Sequence, residues 1–352
     1  MRSGIRTPQD VATSRARVPS PPTCRGAPRP SKAEPRGGVP ASCPGAVPGE
    51  PQAVGRAPDF VGLGAQRAGT TWLYACLYDH PSICAPIKEI HFFSDERHWA
   101  RGCQWYESLF GRCPPSATVG EFSTSYLASP VAAERIGRHY PAARLLVSLR
   151  NPIERTYSHY RHEIARGALK LGTPLRLALA ERPDLVEGSR YATHLERYLS
   201  LFPRDQVLIL VYEDALRDPH GFVAQVYRFL GADAAHVPAS LGARINASRV
   251  PRFPAVERAL SAISRALRDR GLHGLWWFTR RLGLGNRIRL GNWLRSANAR
   301  TPERPDTGPD AGAREWLSAT LAPDVLRVEA LLGRDLLEWN PEPSRPAAPR
   351  VP

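Results

Sequence analysis

The sequence predicts an α/β fold in three layers, a central parallel sheet flanked by helices on both faces, with a helical C-terminal segment after it. Three observations carry this reading. Short apolar runs of strand character alternate with helical patterns, an order that demands crossover connections and a covered parallel sheet. The clearest run, Arg144 to Arg150, reads Arg-Leu-Leu-Val-Ser-Leu-Arg. It is apolar nearly throughout instead of alternating, as a strand buried on both faces must be. From Arg249 the pattern turns helical.

Folded sequence begins near Asp59. Phe60 to Gly64 is a short apolar run ending in glycine, suited to a buried parallel strand. A helix follows from about Gly69 to Asp79 and stops at His80-Pro81, because the residue before proline is pushed out of the helical region. Val119 to Phe122 is a further short strand, and Ala132 to His139 a helix ending before Pro141. After the Arg144 strand, Asn151-Pro152 opens a long helix with Asn as N-cap, Pro at the first helical position and Glu154 placed for a capping box. Tyr191 to Phe202 reads as a helix, Val207 to Tyr212 as a strand, Pro219 to Leu230 as a helix, and Glu315 to Leu332 as a closing amphipathic helix. No internal repeat is present.

Residues 1–57 are dense in Pro, Gly, Ala, Ser and Arg and carry no apolar periodicity. Such a segment buries too little surface to offset the entropy of ordering, so a disordered tail is expected there. Residues 341–352 are Pro-rich and read as a second tail, leaving 58–340 as a single domain. Within that domain 249–314 stands apart as a basic helical segment; from Arg249 to Arg300 it holds 12 arginines against Glu257 and Asp269.

Formal net charge is +15, and only Lys32, Lys88 and Lys170 among the 48 basic residues are lysine. The balance favours an anionic ligand, polymer or surface. The charge is spread along the chain and no common nucleic-acid motif occurs, so no nucleic-acid partner is expected. Cys24, Cys43, Cys76, Cys84, Cys103 and Cys113 form no CxxC pair and no metal-ligand spacing. A Cys103–Cys113 disulfide is left open. No stretch reaches membrane-spanning length and the first residues lack the apolar core of a signal peptide, so a soluble, cytoplasmic protein is expected.

Two segments are built for anions. Gly64-Ala65-Gln66-Arg67-Ala68-Gly69-Thr70-Thr71 joins a strand to a helix. Its glycines allow a tight turn and close backbone approach, the helix N-terminus offers unpaired N–H groups, and Arg67 adds a full charge. The spacing is close to a Walker A loop, but Thr70 stands where the lysine should be and the basic residue lies earlier, at Arg67. The second segment, Ser148 to Ser158, again joins strand to helix. Arg150 sits at the strand's carboxyl end, where parallel sheets place their ligands. Ser158 lies about two turns into the helix and can face the same side as its N-terminus.

Gln66-Arg67-Ala68-Gly69-Thr70-Thr71-Trp72-Leu73 resembles the 5'-phosphosulfate loop of the sulfotransferases that use 3'-phosphoadenosine 5'-phosphosulfate (PAPS), in the branch holding the heparan sulfate enzymes and bacterial relatives. The resemblance runs from roughly Asp59 to Asn340 and is poor only over Arg249 to Arg314. It implies a P-loop-like fold, PAPS as sulfuryl donor, no metal, and an acceptor hydroxyl or amine on a small molecule or saccharide. It places Arg67, Ala68, Gly69, Thr70, Thr71 and Trp72 around the nucleotide and phosphosulfate. Arg150 and Ser158 fall on the residues that hold the 3'-phosphate. Arg67 replaces the family's usual lysine; it keeps the charge but not the geometry of an ammonium.

Lys88-Glu89-Ile90-His91-Phe92-Phe93 is similar to the family's E-x-H-F-F segment, whose glutamate is the catalytic base. The resemblance gives that role to Glu89, makes His91 a second catalytic candidate and leaves Phe92 and Phe93 as core residues that fix the loop. Proton removal from the acceptor needs such a group, and positive groups must meet charge developing on the leaving oxygen. Gly120 to Tyr126 resembles another family segment, E-K-[ST]-P-x-Y, with Phe122 at the lysine and Thr124 at the proline. Since that lysine lies near the acceptor, Phe122 argues against a heparan-like substrate.

Two alternatives stand beside this reading. A P-loop kinase-like phosphotransferase would need the Walker lysine and a magnesium-binding Asp after an apolar strand; Thr70 and Arg150 occupy those places. A catalytically impaired PAPS- or polyanion-binding relative is compatible with Arg67 and Phe122. The segment Arg249 to Arg300, with Trp276-Trp277-Phe278 beside Arg280-Arg281, is read either as a pair of core-packed helices with solvated arginines or as an acceptor-side wall that draws in an anionic saccharide or a lipid-linked acceptor, with peripheral contact with an anionic membrane or polysaccharide. Oligomeric state and acceptor identity are not written in the sequence.

Overall fold

The computed structural model describes residues 55–243, 250–251, 299–300 and 308–339, all of which fall in one compact unit, Ser42–Pro352. Residues 1–54, the second expected tail and most of the basic segment, including Trp276 to Arg281, lie outside the described residues; Gly55 to Ala57, expected to belong to the first tail, are described, and the Arg56 N–H donates to Glu107 O at 3.2 Å, which ties them to the domain.

The strands of the main sheet are β1 (Phe60–Gly64), β2 (Ile83–Cys84), β3 (Thr118–Phe122), β4 (Arg144–Leu149) and β5 (Val207–Val211), while Val250–Pro251 and Ala299–Arg300, in the segment expected to be helical, form a separate antiparallel pair. The main sheet is parallel, in the order β2-β3-β1-β4-β5. The three central strands are buried along almost their whole length, which is why the sequence shows apolar runs there instead of alternation. Gly62 is required by close approach: a Cβ there would come within 2.2 Å of the Phe122 ring on the neighbouring strand.

The helices between strands are α1 (Thr70–Asp79), α2 (Glu96–Trp99), α3 (Gly102–Ser108), α4 (Pro130–His139), α5 (Pro152–Ala165), α6 (Leu175–Glu181), α7 (Asp184–Glu187) and α8 (Tyr191–Leu199). After β5 come α9 (Tyr212–Arg217) and α10 (Pro219–Leu230). One face of the sheet packs with α3, α4 and α8, through Tyr106, Ile136 and Leu195. The other packs with α1 and α10, through Leu73, Leu77, Phe222 and Val226. The closing helix, Ala311–Leu332, starts four residues earlier than Glu315. Its first half packs on α5, α6 and α7 through Ala313, Leu317 and Leu321, and its second half joins the main core through Val325 and Val328.

Helix starts follow the sequence signals closely. Asn151 caps α5, its Oδ1 accepting from Ile153 N at 3.0 Å and Glu154 N at 3.2 Å. The reciprocal half of the capping box is absent. The Asn151 N–H is taken instead by Glu213 Oε1 at 2.9 Å, and Glu154 turns outward to Arg314 at 3.0 Å. The tertiary partner outcompetes the local one because Glu213, in the first turn of α9 just after β5, already points at the cap.

Cys113 pairs with Cys84 and not with Cys103. The bond ties the end of β2 to the loop before β3, two segments that the parallel β2–β3 pairing already brings together. Cys103 is itself disulfide-bonded, and Cys76 is a buried free thiol.

Candidate active site

The loop after β1 is locked from both ends. Ala65 N donates to Ser148 O at 2.7 Å, and Ser148 Oγ donates to Ala68 O at 2.7 Å, so the end of β4 fixes the turn. Gly69 closes it at φ 75°, where a Cβ would lie 2.3 Å from the Tyr212 ring. No other residue fits both the conformation and the space. Gly69 caps α1 without any side-chain bond, so the first-turn amides of Thr70 and Thr71 have no acceptor within the helix. Thr70 and Ala68 are buried, while Thr71 and Trp72 are partly open. The Trp72 indole N–H donates to Leu241 O at 3.1 Å, and its ring tilts against Phe222.

The two anion segments, far apart in the chain, meet at this turn. Arg67 Nε donates to Ser158 Oγ at 3.0 Å, and Arg150 Nη1 reaches Arg67 O at 3.5 Å. Arg67 holds a left-handed backbone, φ 71°, unusual for a residue with a Cβ. Burial, then the neighbouring charges of Arg150 and Arg161, lower the pKa of its guanidinium. Arg67, Arg150 and Arg161 therefore bring like charges together at a partly buried place. Glu154 is 3.9 Å from Arg150 and is shared with Arg314. Such a cluster is stabilised by a bound anion. The carbonyl of Arg150 is held independently, by the Tyr191 hydroxyl at 2.9 Å.

The Glu89 loop lies at the edge of the sheet, where Lys88 forms a parallel bridge with Phe122. Glu89 Oε1 accepts from Lys88 Nζ at 2.8 Å and from Thr124 Oγ1 at 3.1 Å, and Oε2 lies 3.2 Å from His91 Nε2. His91 Nδ1 is 2.7 Å from Ser125 Oγ, which in turn is 2.6 Å from Ser94 Oγ. Glu89 and His91 both have positive φ, 36° and 57°; such strain persists only where surroundings impose it. Phe92 and Phe93 impose it from below. Both are wholly buried, Phe92 stacked on Tyr106 and Phe93 edge-on to Tyr126 and Tyr140. Burial works to raise the Glu89 carboxyl, but the bonds and charges of His91 and Lys88 outweigh it and bring the pKa down to about 2. Glu89 is thus ionised at any ordinary pH. To take a proton it must first lose Lys88 or His91 as a partner.

Phe122 is wholly buried against Gly62 and belongs to the core, so this position offers no cation to a ligand. The sequence reading missed several groups. Thr124 and Ser125 hold the Glu89–His91 pair, yet short hydroxyl runs carry no distinctive signal. His162 lies one turn beyond Ser158 on α5; burial first, then Arg67 and Arg166, push its pKa down to about 4, with Glu89 acting in the opposite direction. Its i+4 spacing from Ser158 was the available clue.

The sulfotransferase-domain family matches residues 57–246, more than half of the chain. The chain belongs to the sulfotransferase family. It is 33% identical over 198 residues to human bifunctional heparan sulfate N-deacetylase/N-sulfotransferase 3, covering 50% of this chain and 22% of that protein. It is 35% identical over 201 residues to human heparan sulfate glucosamine 3-O-sulfotransferase 6, covering 53% of this chain and 57% of that one. The match therefore spans well under two thirds of these relatives' lengths. The crystal structure of a sulfotransferase from Alicyclobacillus acidocaldarius superposes with a TM-score of 0.56 at 27% identity, covering 81% of this chain and 99% of that chain. The P-loop-like parallel sheet expected from sequence is thus the fold of a sulfotransferase.

Proposed function

We propose that the protein transfers a sulfuryl group from PAPS to a hydroxyl or amine of an acceptor. The observation that carries this is the Arg67–Ser158 bond at 3.0 Å, which joins the loop after β1 to the α5 face into one cationic cradle. The residues present fit a nucleotide bearing two anionic ends. Gly69 keeps the turn open where any Cβ would meet Tyr212, and Arg67 and Arg150 set two guanidinium charges at that turn for an anion to meet. PAPS, when bound, supplies the activated sulfuryl group.

In this reading Ala68 to Thr71 offer amides and hydroxyls to the 5' end, with Trp72 beside the nucleotide. Arg150 and Ser158 hold the 3'-phosphate. Arg67 bridges the two ends and stabilises charge on the leaving oxygen. Glu89 takes the acceptor proton once a partner releases it, and His91 orients that carboxylate from Nε2 while Ser125 holds its Nδ1. Residues 58–340 would form the catalytic domain. The relatives' names motivate a saccharide acceptor, whereas the buried Phe122 favours one that needs no cation from that position. The basic segment 249–314 would form the acceptor-side wall or contact an anionic surface.

A second reading, a PAPS- or polyanion-binding relative without turnover, is favoured by one observation, the tight hold of Lys88 and His91 on Glu89. Incubation with sulfur-labelled PAPS and a panel of desulfated saccharides and small hydroxyl compounds separates the two. Label appearing on an acceptor supports transfer; nucleotide binding without label transfer on any acceptor supports the binder. A cytoplasmic location remains a proposal, and Cys84–Cys113 gives it a test, since disulfides persist in oxidising compartments. Recovery of that bond intact from cells, by alkylation before lysis, would count against the cytoplasm.

A further inference from the structure

Behind the Glu89–His91 turn lies a second carboxylate that the proposed chemistry does not use. Glu121, on β3, is wholly buried. Among the described residues no cation pairs with it. Its oxygens accept from Ser123 Oγ at 2.6 Å and from Tyr126 Oη at 2.6 Å. A buried carboxylate is costly unless such bonds compensate it.

Ser123 faces two ways. Its proton goes to Glu121, and its oxygen accepts the His91 N–H at 2.9 Å. This bond and the Lys88–Phe122 bridge tie the backbone of the turn to the strand. Both Glu89 and His91 hold left-handed backbone there, so the turn depends on what pins it.

We infer that Glu121 is a buried positioning residue: through the Ser123 hydroxyl its carboxylate fixes the turn that carries Glu89 and His91, and its protonation loosens that turn. An ionised carboxylate only accepts, so the Ser123 proton points at Glu121 and a lone pair is left for the His91 N–H. A protonated Glu121 has a proton of its own to place. Ser123 Oγ is within reach of it; accepting there turns the Ser123 proton away from Glu121, and that rotation shifts the lone pair that takes the His91 N–H. The groups facing Glu121 are Tyr126 beyond β3, Tyr106 from α3, and His91 and Glu89 from the turn. The Tyr106 hydroxyl is buried beside Glu121, so it can answer a change there. Burial raises the Glu121 carboxyl, Ser123, Tyr126 and His91 lower it, and Glu89 adds to the rise, leaving a pKa of about 7. The switch therefore falls near neutrality.

What the turn is for rests on the proposed sulfuryl transfer; the coupling of Glu121 to His91 does not. The test uses the full-length, nitrogen-labelled protein and follows the His91 amide resonance from mildly acidic to mildly basic pH. A step near neutrality is expected in the wild type, absent in Glu121→Gln and absent in Ser123→Ala. A step that persists in Glu121→Gln has another origin and overturns the inference, as does a wild type without any step. Should Glu121→Gln fail to fold, Ser123→Ala decides alone: loss of the step supports the coupling and its persistence refutes it. The second readout is turnover with PAPS and a desulfated heparan fragment. Wild-type kcat should fall about tenfold per pH unit below the step, as for a single proton, and stay level in Glu121→Gln. An inactive wild type whose His91 amide still follows Glu121 would sink the sulfuryl-transfer reading and leave the coupling standing.

Discussion

Replacing Arg150 with alanine should weaken binding of 3'-phosphoadenosine 5'-phosphate far more than binding of adenosine 5'-phosphate. The guanidinium has little to lose inside the protein. Its bond to Arg67 O is long, at 3.5 Å, and Glu154 is 3.9 Å away and shared with Arg314. The main chain at Arg150 is fixed by Tyr191, which the substitution leaves in place. The protein should therefore remain folded, with a stability change within about 1 kcal/mol, as for a weak, partly exposed ion pair. A charge-assisted hydrogen bond contributes about 1.5–3 kcal/mol, which corresponds to roughly a 10- to 150-fold loss for the 3'-phosphorylated nucleotide. The analogue lacking that phosphate should lose less than about threefold, a change of under 1 kcal/mol. Isothermal titration of both nucleotides against both proteins reads the two numbers directly. Equal losses for the two nucleotides would remove Arg150 from the 3'-phosphate site and undo the assignment of the α5 end to that phosphate.

Glu89→Gln should cut turnover by about a hundred- to ten-thousand-fold, the range for loss of a general base, while nucleotide affinity measured by titration stays near wild type. Gly69→Ala should both destabilise the protein and abolish nucleotide binding, because the new Cβ would sit 2.3 Å from the Tyr212 ring at φ 75°; thermal melts with and without nucleotide check both. Losing Cys84–Cys113, which spans 29 residues of sequence, should cost about 3.5 kcal/mol by chain entropy, read as a lowered denaturant midpoint in Cys84→Ser against wild type without reductant. Glu121, with a pKa raised to about 7, lends stability below its ordinary value that is lost as pH rises through 7. The Glu121→Gln protein should therefore gain on the wild type as pH rises across that window, by on the order of 3 kcal/mol at most, in paired melts across pH.

The fold was legible wherever one local signal decided an element. The apolar run at Leu145 to Leu149 could only be a covered strand, and Asn151-Pro152 could only open a helix. Gly69 could be read as a turn residue, but its second constraint, the Tyr212 ring, comes from α9, far along the chain. The same limit hid Cys84. Spacing alone drew attention to Cys103 as the partner of Cys113, whereas the β2–β3 pairing sets Cys84 beside it. At the site, the charged members stood out because Arg67, Glu89 and Arg150 sit in recognisable segments. Their supports did not. Ser123, Thr124 and Ser125 act through bonds between their side chains and a loop some thirty residues away, and Glu121 acts through Ser123; nothing in the spacing of hydroxyls predicts which loop they will meet.

The most direct test of the central claim is a single transfer assay on the purified protein. Sulfur-labelled PAPS and, in parallel, γ-phosphate-labelled ATP are offered with desulfated heparan fragments and small hydroxyl or amine acceptors. The predicted result is label moving from PAPS to at least one acceptor, lost in Glu89→Gln, with none moving from ATP. Phosphate transfer from ATP, or tight PAPS binding with no label on any acceptor, would contradict it.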